Sequence, residues 1–163
     1  MQRDISTNRK ARKWTPAEQA GRVAWSLGSV LFLLSPRPLW GWRRGLLRLF
    51  GARIGRDVHI LPTVRIAIPW HLDIHDQAAI GDRAILYALG KISIGPRVTV
   101  SQGAHLCAGS HDWRDPTMPL LKTPIEIGAD AWICADAFVG PNVCVGDGAV
   151  VGARAVTMKD VDK

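Results

Sequence analysis

The side chains best suited to moving a proton near neutral pH are the five histidines of this chain, His59, His71, His75, His105 and His111. His71 and His75 stand four residues apart, which is the spacing of a metal-binding pair on a helix but not on strands and corners. His111 differs from the others because it lies in a long polar stretch beside two carboxylates, Asp112 and Asp115. We therefore take His111 as the candidate general base that removes a proton from a hydroxyl group.

The three cysteines, Cys107, Cys134 and Cys144, form neither a metal-binding nor a disulfide pattern. Their number is odd, and no two of them show the C-x-x-C spacing of a zinc site or a redox pair. The sequence therefore predicts reduced thiols, a cytoplasmic chain and no bound metal.

The element that must position His111 is a repeat of six residues, which is clearest between residues 124 and 160. Its branched apolar residues stand six apart, at Ile127, Ile133, Val139, Val145 and Val151. Six residues turn an α-helix by about 600°, so a helix would scatter these side chains over three faces. Short strands with one small and one branched residue facing inward fit the pattern, and the glycine after most branched residues suits a corner with positive φ. Three such strands make one coil of a triangular prism, so the repeat predicts a parallel β-helix.

The same six-residue phase extends back to Ile54 in sets of three, which predicts five coils between residues 54 and 157. Two-residue insertions separate the first three sets, and a fifteen-residue excess follows the third. Because every interruption comes after a complete set, all of them should emerge at one corner of the prism. Insertions on one edge of a solenoid usually form its working face. The largest, residues 108–123, contains His111.

The first 53 residues are set apart by their charge and by helical patterning. They hold eleven of the 21 Lys and Arg residues, against two carboxylates, Asp4 and Glu18. Residues 1–13 are polar and basic and are expected to be disordered. The residues from Thr15 to Glu18 predict a helix start with a capping box, and a second amphipathic stretch covers residues 39–50. The unbroken apolar part of the first helix, Val23 to Leu34, is too short to span a bilayer. The two helices either cap the first coil alone or also rest on an anionic membrane.

The six-residue ladder, the histidine loop after the third set, and the Trp132-Ile133 and Lys159-Asp160 segments together resemble the hexapeptide-repeat acyltransferases. The likeness covers residues 51–161 and is greatest to the galactoside and maltose O-acetyltransferases and the colanic-acid-type exopolysaccharide O-acetyltransferases. It implies an all-β domain, residues 54–163, folded as a left-handed parallel β-helix behind a helical lead-in, residues 1–53. It also implies a homotrimer that transfers an acetyl group from acetyl-CoA to a sugar hydroxyl of an exopolysaccharide or its lipid-linked precursor, without a metal.

The resemblance also assigns roles to single residues. His111 matches the catalytic base of the family, and Trp132 matches the tryptophan that lines the acyl and acceptor site. Ala135 and Ala153 match positions whose backbone contacts the pantetheine arm of coenzyme A. Lys159 matches the lysine near the phosphates of the coenzyme.

The match to the family is incomplete at the residues that bind the sugar acceptor of the acetyl group. The galactoside enzymes carry an acceptor-binding asparagine in the second coil, where this chain has Gly81 followed by Asp82. Asp82, Asp112 and Trp132 are taken as the candidate acceptor-binding residues. Asp112, Asp115 or a backbone carbonyl could orient His111.

Two other functions remain open from the residues. The same fold hosts a zinc carbonic anhydrase, but that chemistry needs three histidines converging between subunits, and the histidine spacings here do not reproduce its characteristic pair. A non-catalytic solenoid scaffold would tolerate the loss of His111. Within the transferase class, N-acetylation of an amino sugar stays open.

The basic tail is not followed by a nucleic-acid recognition module, so nucleic acid is not an expected partner. The expected location is cytoplasmic, at the inner face of the membrane if the helices bind lipid.

Overall fold

The computed structural model describes residues 3–163, and its centre is a solenoid of three parallel β-sheets. Each sheet has five strands, and neighbouring strands of one sheet come from successive coils. The chain passes from the first sheet to the second and the third and then returns to the first, so the coils stack into a triangular prism. This is the left-handed parallel β-helix of five coils that was expected.

The strands are numbered in chain order. Sheet A contains β1 (Arg53–Ile54), β4 (Leu72–Ile74), β7 (Ile92–Ile94), β12 (Ile125–Ile127) and β15 (Cys144–Val145). Sheet B contains β2 (His59–Ile60), β5 (Ala79–Ile80), β8 (Thr99–Val100), β13 (Trp132–Ile133) and β16 (Val150–Val151). Sheet C contains β3 (Arg65–Ile66), β6 (Ile85–Tyr87), β9 (His105–Cys107), β14 (Phe138–Val139) and β17 (Val156–Thr157). We call the corner between sheets B and C the B–C edge, and the corner between sheets C and A the C–A edge.

The interior of the prism is filled by the branched residues of the ladder and by the small residues two positions before them. Ile74 pairs with Ile94, and Ile94 pairs in turn with Ile127, so equivalent positions stack directly along the axis. These three side chains are almost fully buried, and Ala78 and Ala104 are completely buried. The stacking confirms the six-residue phase read from the sequence.

All three interruptions of the repeat emerge at the C–A edge, as predicted. The first follows β3 and includes a short 3₁₀ helix, Pro69–His71. The second follows β6 and leads into β7. The third follows β9 and contains an antiparallel hairpin, in which β10 (Ser110–His111) pairs with β11 (Leu120–Leu121).

The glycines that follow branched residues are needed for a different reason from the one expected. Among residues 3–163, none of the glycines directly after a branched ladder residue has positive φ. Left-handed backbone comes two positions later, for example at Asp130 and Asn142, with φ of 59° and 61°. At Gly95 and Gly128, a Cβ atom would lie 2.9 and 2.6 Å from a backbone nitrogen of the next coil. The expectation of positive φ was therefore wrong, because glycine is required here by the close stacking of the coils.

Two helices, α2 (Pro16–Leu33) and α3 (Trp40–Leu49), cover the first coil, as the sequence predicted. The capping box between Thr15 and Glu18 begins α2. Trp25 on α2 and Leu47 on α3 are buried and join the core of the solenoid. Among residues 3–163, no helix combines the length and the hydropathy that crossing a bilayer requires.

Helix α3 also supplies hydrogen-bond donors to backbone carbonyls at the open end of the solenoid. The backbone N–H groups of Gly55, His59 and Leu61 donate to the second-coil carbonyls of Ile74, Ala78 and Ile80. The equivalent carbonyls of the first coil, those of Ile54, Val58 and Ile60, have no preceding coil in the described residues to donate to them. Arg43, Arg44 and Arg48 of α3 donate to the first-coil carbonyls of Ile60, Val58 and Ile54 respectively. These arginines replace the donors that a preceding coil would supply.

A third helix, α1 (Ile5–Lys10), occupies part of the stretch that was expected to be disordered, whose first two residues lie outside the described range. It lies against the third insertion. The backbone N–H of Asp4 donates to the carbonyl of Pro116 at 2.8 Å, and the side-chain amide of Asn8 donates to the carbonyl of Thr117 at 2.7 Å. The expectation of disorder was wrong for this helix, because tertiary contacts order a segment whose composition alone would not.

Candidate active site

His111 is exposed on β10, opposite Leu120 on β11, in the hairpin that projects from the C–A edge. Its Nδ1 atom lies 2.7 Å from the carbonyl oxygen of Met118. A carbonyl only accepts hydrogen bonds, so in the neutral imidazole Nδ1 carries the proton and Nε2 keeps its lone pair. Nε2 is therefore the ring atom able to take a proton from an acceptor hydroxyl.

A backbone carbonyl, and neither carboxylate, holds this imidazole. Asp112 accepts a hydrogen bond from the backbone N–H of Arg114 at 3.0 Å. Asp115 accepts from both the hydroxyl and the backbone N–H of Thr117, each at 2.7 Å. These two bonds, the hydroxyl first, lower the pKa of Asp115 from its ordinary value. Both carboxylates therefore shape the turn that carries Met118, and the contacts do not give either of them the orienting role.

The carbonyl of Met118 has a second donor, the side-chain amide of Asn8 on α1. Asn8 and Met118 are 110 residues apart in the chain. No local pattern pointed to this contact, and the sequence reasoning missed it. The N-terminal helix thus reaches the backbone group that orients His111.

Three of the residues that the resemblance assigns to the acetyl-CoA site, Trp132, Ala135 and Ala153, lie on a different part of the chain from His111. Trp132 is on sheet B, 49 % exposed, and its Nε1 donates to the hydroxyl of Ser101 at 2.9 Å. Ala135 and Ala153 follow sheet B at the B–C edge in successive coils. They are stacked, since the backbone N–H of Arg154 donates to the carbonyl of Ala135 at 2.9 Å. Their small side chains leave the backbone of this edge open to a ligand.

Asp82 also lies on the B–C edge, in the second coil. Its carboxylate accepts from the hydroxyl of Thr63 at 2.8 Å and from Arg37 at 2.6 Å, and the Thr63 bond is the largest cause of its lowered pKa. A Cβ atom at Gly81 would lie 2.7 Å from the backbone nitrogen of Gln102, so an asparagine does not fit there without moving the third coil. Asp82 is thus held by structural contacts, and within one chain it lies on a different edge from the hairpin of His111.

Lys159 is exposed just beyond β17, at the C–A edge, and its carbonyl accepts from the hydroxyl of Thr157 at 2.8 Å. Within one chain the candidate residues therefore fall into two groups. His111, Asp112 and Lys159 lie along the C–A edge. Trp132 and the remaining candidates lie on sheet B and the B–C edge.

The other histidines make contacts of other kinds. His59 stacks on Trp40, with ring centroids 4.6 Å apart, and Nδ1 of His71 lies 3.0 Å from the carbonyl of Ala88. Burial lowers the pKa of His105 from its ordinary value. In the part of the chain that the structure describes, no group of three or more His, Cys, Asp or Glu side chains could hold a metal ion.

Comparisons with known proteins identify similar chains, although no family model matches this one. The chain is 46 % identical over 137 residues to WcaF of Escherichia coli K12, assigned as a colanic acid biosynthesis acetyltransferase, and the match covers 84 % of this chain and 75 % of WcaF. The hexapeptide-repeat acetyltransferase VCA0836 of Vibrio cholerae, solved with acetyl coenzyme A, superposes with a TM-score of 0.83 over 93 % of this chain and 83 % of its own, at 21 % identity. A galactoside acetyltransferase solved with coenzyme A gives a TM-score of 0.74 over 93 % of this chain and 77 % of its own, at 19 % identity. At these identities, the two structures demonstrate a shared fold.

Proposed function

Because the chain belongs to the hexapeptide-repeat acyltransferase family, we propose that it transfers an acetyl group from acetyl-CoA to a sugar hydroxyl of an exopolysaccharide or of its lipid-linked precursor. The observation that carries this proposal is the ring of His111, held through Nδ1 by the carbonyl of Met118 with Nε2 left free. The identity of 46 % to WcaF supports the acceptor class. It also favours an acyltransferase over the zinc-enzyme and scaffold alternatives.

The chemistry requires the acceptor hydroxyl to lose a proton while its oxygen attacks the thioester carbon. Nε2 of His111 takes that proton and returns it to the leaving thiolate, so the products are an acetyl ester and the free thiol of coenzyme A. General-base help of this kind typically accelerates a reaction by about 10²–10⁴. The carbonyl of Met118 stabilises the imidazolium formed on the way, since it accepts from Nδ1–H in both protonation states. Backbone N–H groups at the corners of the coils are the available donors to the developing oxyanion.

We propose that acetyl-CoA, the acetyl donor, is bound by Trp132, Ala135, Ala153 and Lys159. Ala153 is exposed and Ala135 is half-buried, so their backbone groups are accessible to the amides of a pantetheine arm. Lys159 offers an exposed ammonium group to the phosphates. The exposed indole of Trp132 supplies an apolar wall beside the acyl group.

The separation of the two residue groups within one protomer implies a site shared between protomers. We propose a homotrimer in which the C–A edge of one protomer meets the B–C edge of its neighbour. The outward residues of sheets B and C include Val150, Phe138 and Val156, whereas those of sheet A include Asp73 and Glu126. Val150 and Val156 are 57 % and 72 % exposed in the protomer. Sheets B and C are therefore the packing faces, and sheet A faces solvent.

The assembly can be tested with one substitution on a packing face. Val156→Asp should dissociate the trimer and abolish turnover while leaving the protomer folded, because the side chain is exposed and points away from the core. Light scattering combined with an activity assay would show both effects. The control Glu126→Lys, which makes a larger charge change on sheet A, should preserve the trimer and its turnover. A wild-type monomer with full activity would rule out a shared site.

The N-terminal unit, residues 1–53, is proposed to rest on the inner face of an anionic membrane near a lipid-linked acceptor. Helix α2 and its C-cap residue Leu34 present an apolar strip whose residues are 50–73 % exposed, namely Val23, Leu27, Val30, Leu31 and Leu34. Arg43, Arg44 and Arg48 are bonded to the first coil, so the basic residues of the N-terminal segment, including Arg9 and Lys10, supply the charge. An apolar strip beside basic residues is the usual pattern of an interfacial helix.

Vesicle binding tests this contact. The protein should co-sediment with vesicles containing phosphatidylserine at low ionic strength and should be released as salt is raised. Each basic residue near an anionic surface contributes about 1 kcal/mol, and salt screens this attraction. Leu27→Glu should weaken the binding, and vesicles of neutral lipid serve as the control. If the protein ignores anionic vesicles at low salt, the N-terminal helices are only a cap.

The function itself is tested by an acceptor screen with acetyl-CoA that follows the release of free thiol. We expect thiol release that depends on a sugar acceptor and yields an acetyl ester, which alkaline hydroxylamine removes. A product that resists hydroxylamine would show N-acetylation instead. Thiol release with no dependence on any sugar would contradict the proposal.

A further inference from the structure

A cavity of about 290 Å³ lies between the N-terminal segment and the loop that carries His111. One wall is formed by α1 and the residues after it, and the other by residues between Thr117 and Lys122. Small-molecule sites typically occupy about 300–1,000 Å³. The cavity is therefore large enough for a small polar group of a ligand.

Three cationic side chains line this cavity, Arg12, Lys13 and Lys122. Within residues 3–163, none of the three forms an ion pair within 4.0 Å. Glu18 lies on the adjoining surface, but its carboxylate accepts from the backbone N–H of Thr15 at 2.7 Å as part of the capping box. The cavity thus carries positive charge that no carboxylate neutralises at contact distance.

Neutral partners hold these charges in place. The ammonium group of Lys13 donates to the side-chain oxygen of Asn8 at 2.7 Å. That of Lys122 donates to the carbonyl of Lys13 at 2.9 Å and lies 3.5 Å from the ring centre of Trp14. Cations that are positioned but not neutralised favour the binding of an anion.

The cavity adjoins the candidate base. Leu120 in its wall is paired with His111 across the hairpin, and directly opposed residues of antiparallel strands lie about 4.5–5.5 Å apart. Asn8, also in its wall, donates to the same carbonyl of Met118 that holds the ring of His111. An anion in the cavity and a hydroxyl at Nε2 of His111 can therefore belong to one ligand.

We infer that this cavity binds the diphosphate of a diphosphate-linked sugar and so places a hydroxyl of that sugar at His111. The inference rests on the proposed function, because it specifies the acceptor as a sugar carried on a diphosphate. The negative charge of two phosphates matches the cluster of Arg12, Lys13 and Lys122, and the guanidinium of Arg12 can bind phosphate oxygens in a bidentate manner. A nucleotide and a polyprenyl lipid are two carriers of the same group.

Calorimetric titration of inorganic pyrophosphate into the intact protein tests the site. The protein is first saturated with coenzyme A, so that pyrophosphate cannot occupy the donor site. We expect binding with a stoichiometry of one per protomer. The absence of binding to the wild-type protein would overturn the inference.

Two double variants from the same segment decide whether the cavity is responsible. Arg12→Gln with Lys13→Gln should weaken pyrophosphate binding by about tenfold or more, because two charge-assisted contacts are lost. Arg9→Gln with Lys10→Gln removes the same charge outside the lining of the cavity and should leave the affinity unchanged. Equal weakening in both variants, or in neither, would overturn the inference. Circular dichroism confirms that each variant is folded.

The carrier is assigned by titrating UDP and geranyl diphosphate in the same way. Tighter binding of UDP than of pyrophosphate would support a nucleotide-linked acceptor, and tighter binding of geranyl diphosphate would support a lipid-linked one. Weaker binding of both would overturn the inference, because a linked diphosphate would then not fit. These measurements need no turnover, so they can fail while acetyl transfer to unphosphorylated sugars succeeds, and the reverse is equally detectable.

Discussion

Replacing His111 with alanine should lower the turnover number by a factor of about 10²–10⁴, which is the usual contribution of a general base. The fold should not change, because the side chain is exposed on an inserted hairpin and takes no part in the stacked interior of the prism. The measurement is steady-state kinetics with a sugar acceptor, with the turnover number and both Michaelis constants determined separately. The Michaelis constant for acetyl-CoA should change little, since the donor is assigned to other residues.

Lys159→Ala provides the contrasting variant. Lys159 is exposed beyond β17 and is assigned to the coenzyme phosphates, so its loss should raise the Michaelis constant for acetyl-CoA and largely preserve the turnover number. Normal turnover in His111→Ala would contradict the proposed general-base mechanism but not the description of the fold. A fall in turnover in Lys159→Ala as large as that in His111→Ala would contradict the division of roles.

Arg43→Ala should lower the free energy of unfolding by about 3 kcal/mol or more. The arginine is completely buried, and burial lowers its pKa from the ordinary value. Its guanidinium donates to the carbonyls of Ile60, Pro36 and Arg37 and to the hydroxyl of Ser35, at distances of 2.5–2.9 Å. Alanine would leave these acceptors without a donor, and hydrogen bonds to charged groups contribute about 1.5–3 kcal/mol each. Urea unfolding at a fixed protein concentration measures the loss.

Arg44→Ala is the matched control for this effect. Arg44 lies next in α3 and is only half-buried, and its one side-chain hydrogen bond to a residue of the described range 3–163 is to the carbonyl of Val58 at 3.1 Å. We expect it to cost less than about 1.5 kcal/mol. Equal losses in the two variants would show that helix packing, and not the hydrogen bonding of Arg43, anchors α3 to the first coil.

The sequence by itself determined the solenoid, and the reason is local. Side chains alternate between the two faces of a strand. A six-residue period of branched and small residues, such as Ile94 and Ala104, therefore identifies the side chains that face the interior. The interruptions after each third hexad located the C–A edge in the same way. The capping box of Thr15 and Glu18 is likewise contained within four residues. All of these features depend on contacts that repeat or lie close in the chain.

For several positions the sequence showed where a residue type occurs, and only the tertiary structure explained why it is needed there. The glycine positions were visible, but Gly128 is explained by the approach of the next coil, which exists only after stacking. The sequence left open whether the helices at residues 15–50 also rest on an anionic membrane, and it did not assign the arginines of α3 to any partner. In the structure these arginines bond to carbonyls of the first coil, and those carbonyls lack strand donors only because the solenoid ends there.

The candidate site divides in the same way. The sequence located His111, because a polar insertion carrying a histidine is recognisable from its composition and its place in the repeat. Only the tertiary structure brought Met118 to Nδ1 of that ring and Asn8 to the same carbonyl, across 110 residues of chain. It also placed His111 and Ala135 on different edges of the prism. In a coiled chain, the corner at which a residue lies decides its neighbours more than its distance along the sequence does. A periodic pattern specifies the coil and the face of each residue, but the packing of an aperiodic segment against an inserted loop depends on surfaces that form only on folding.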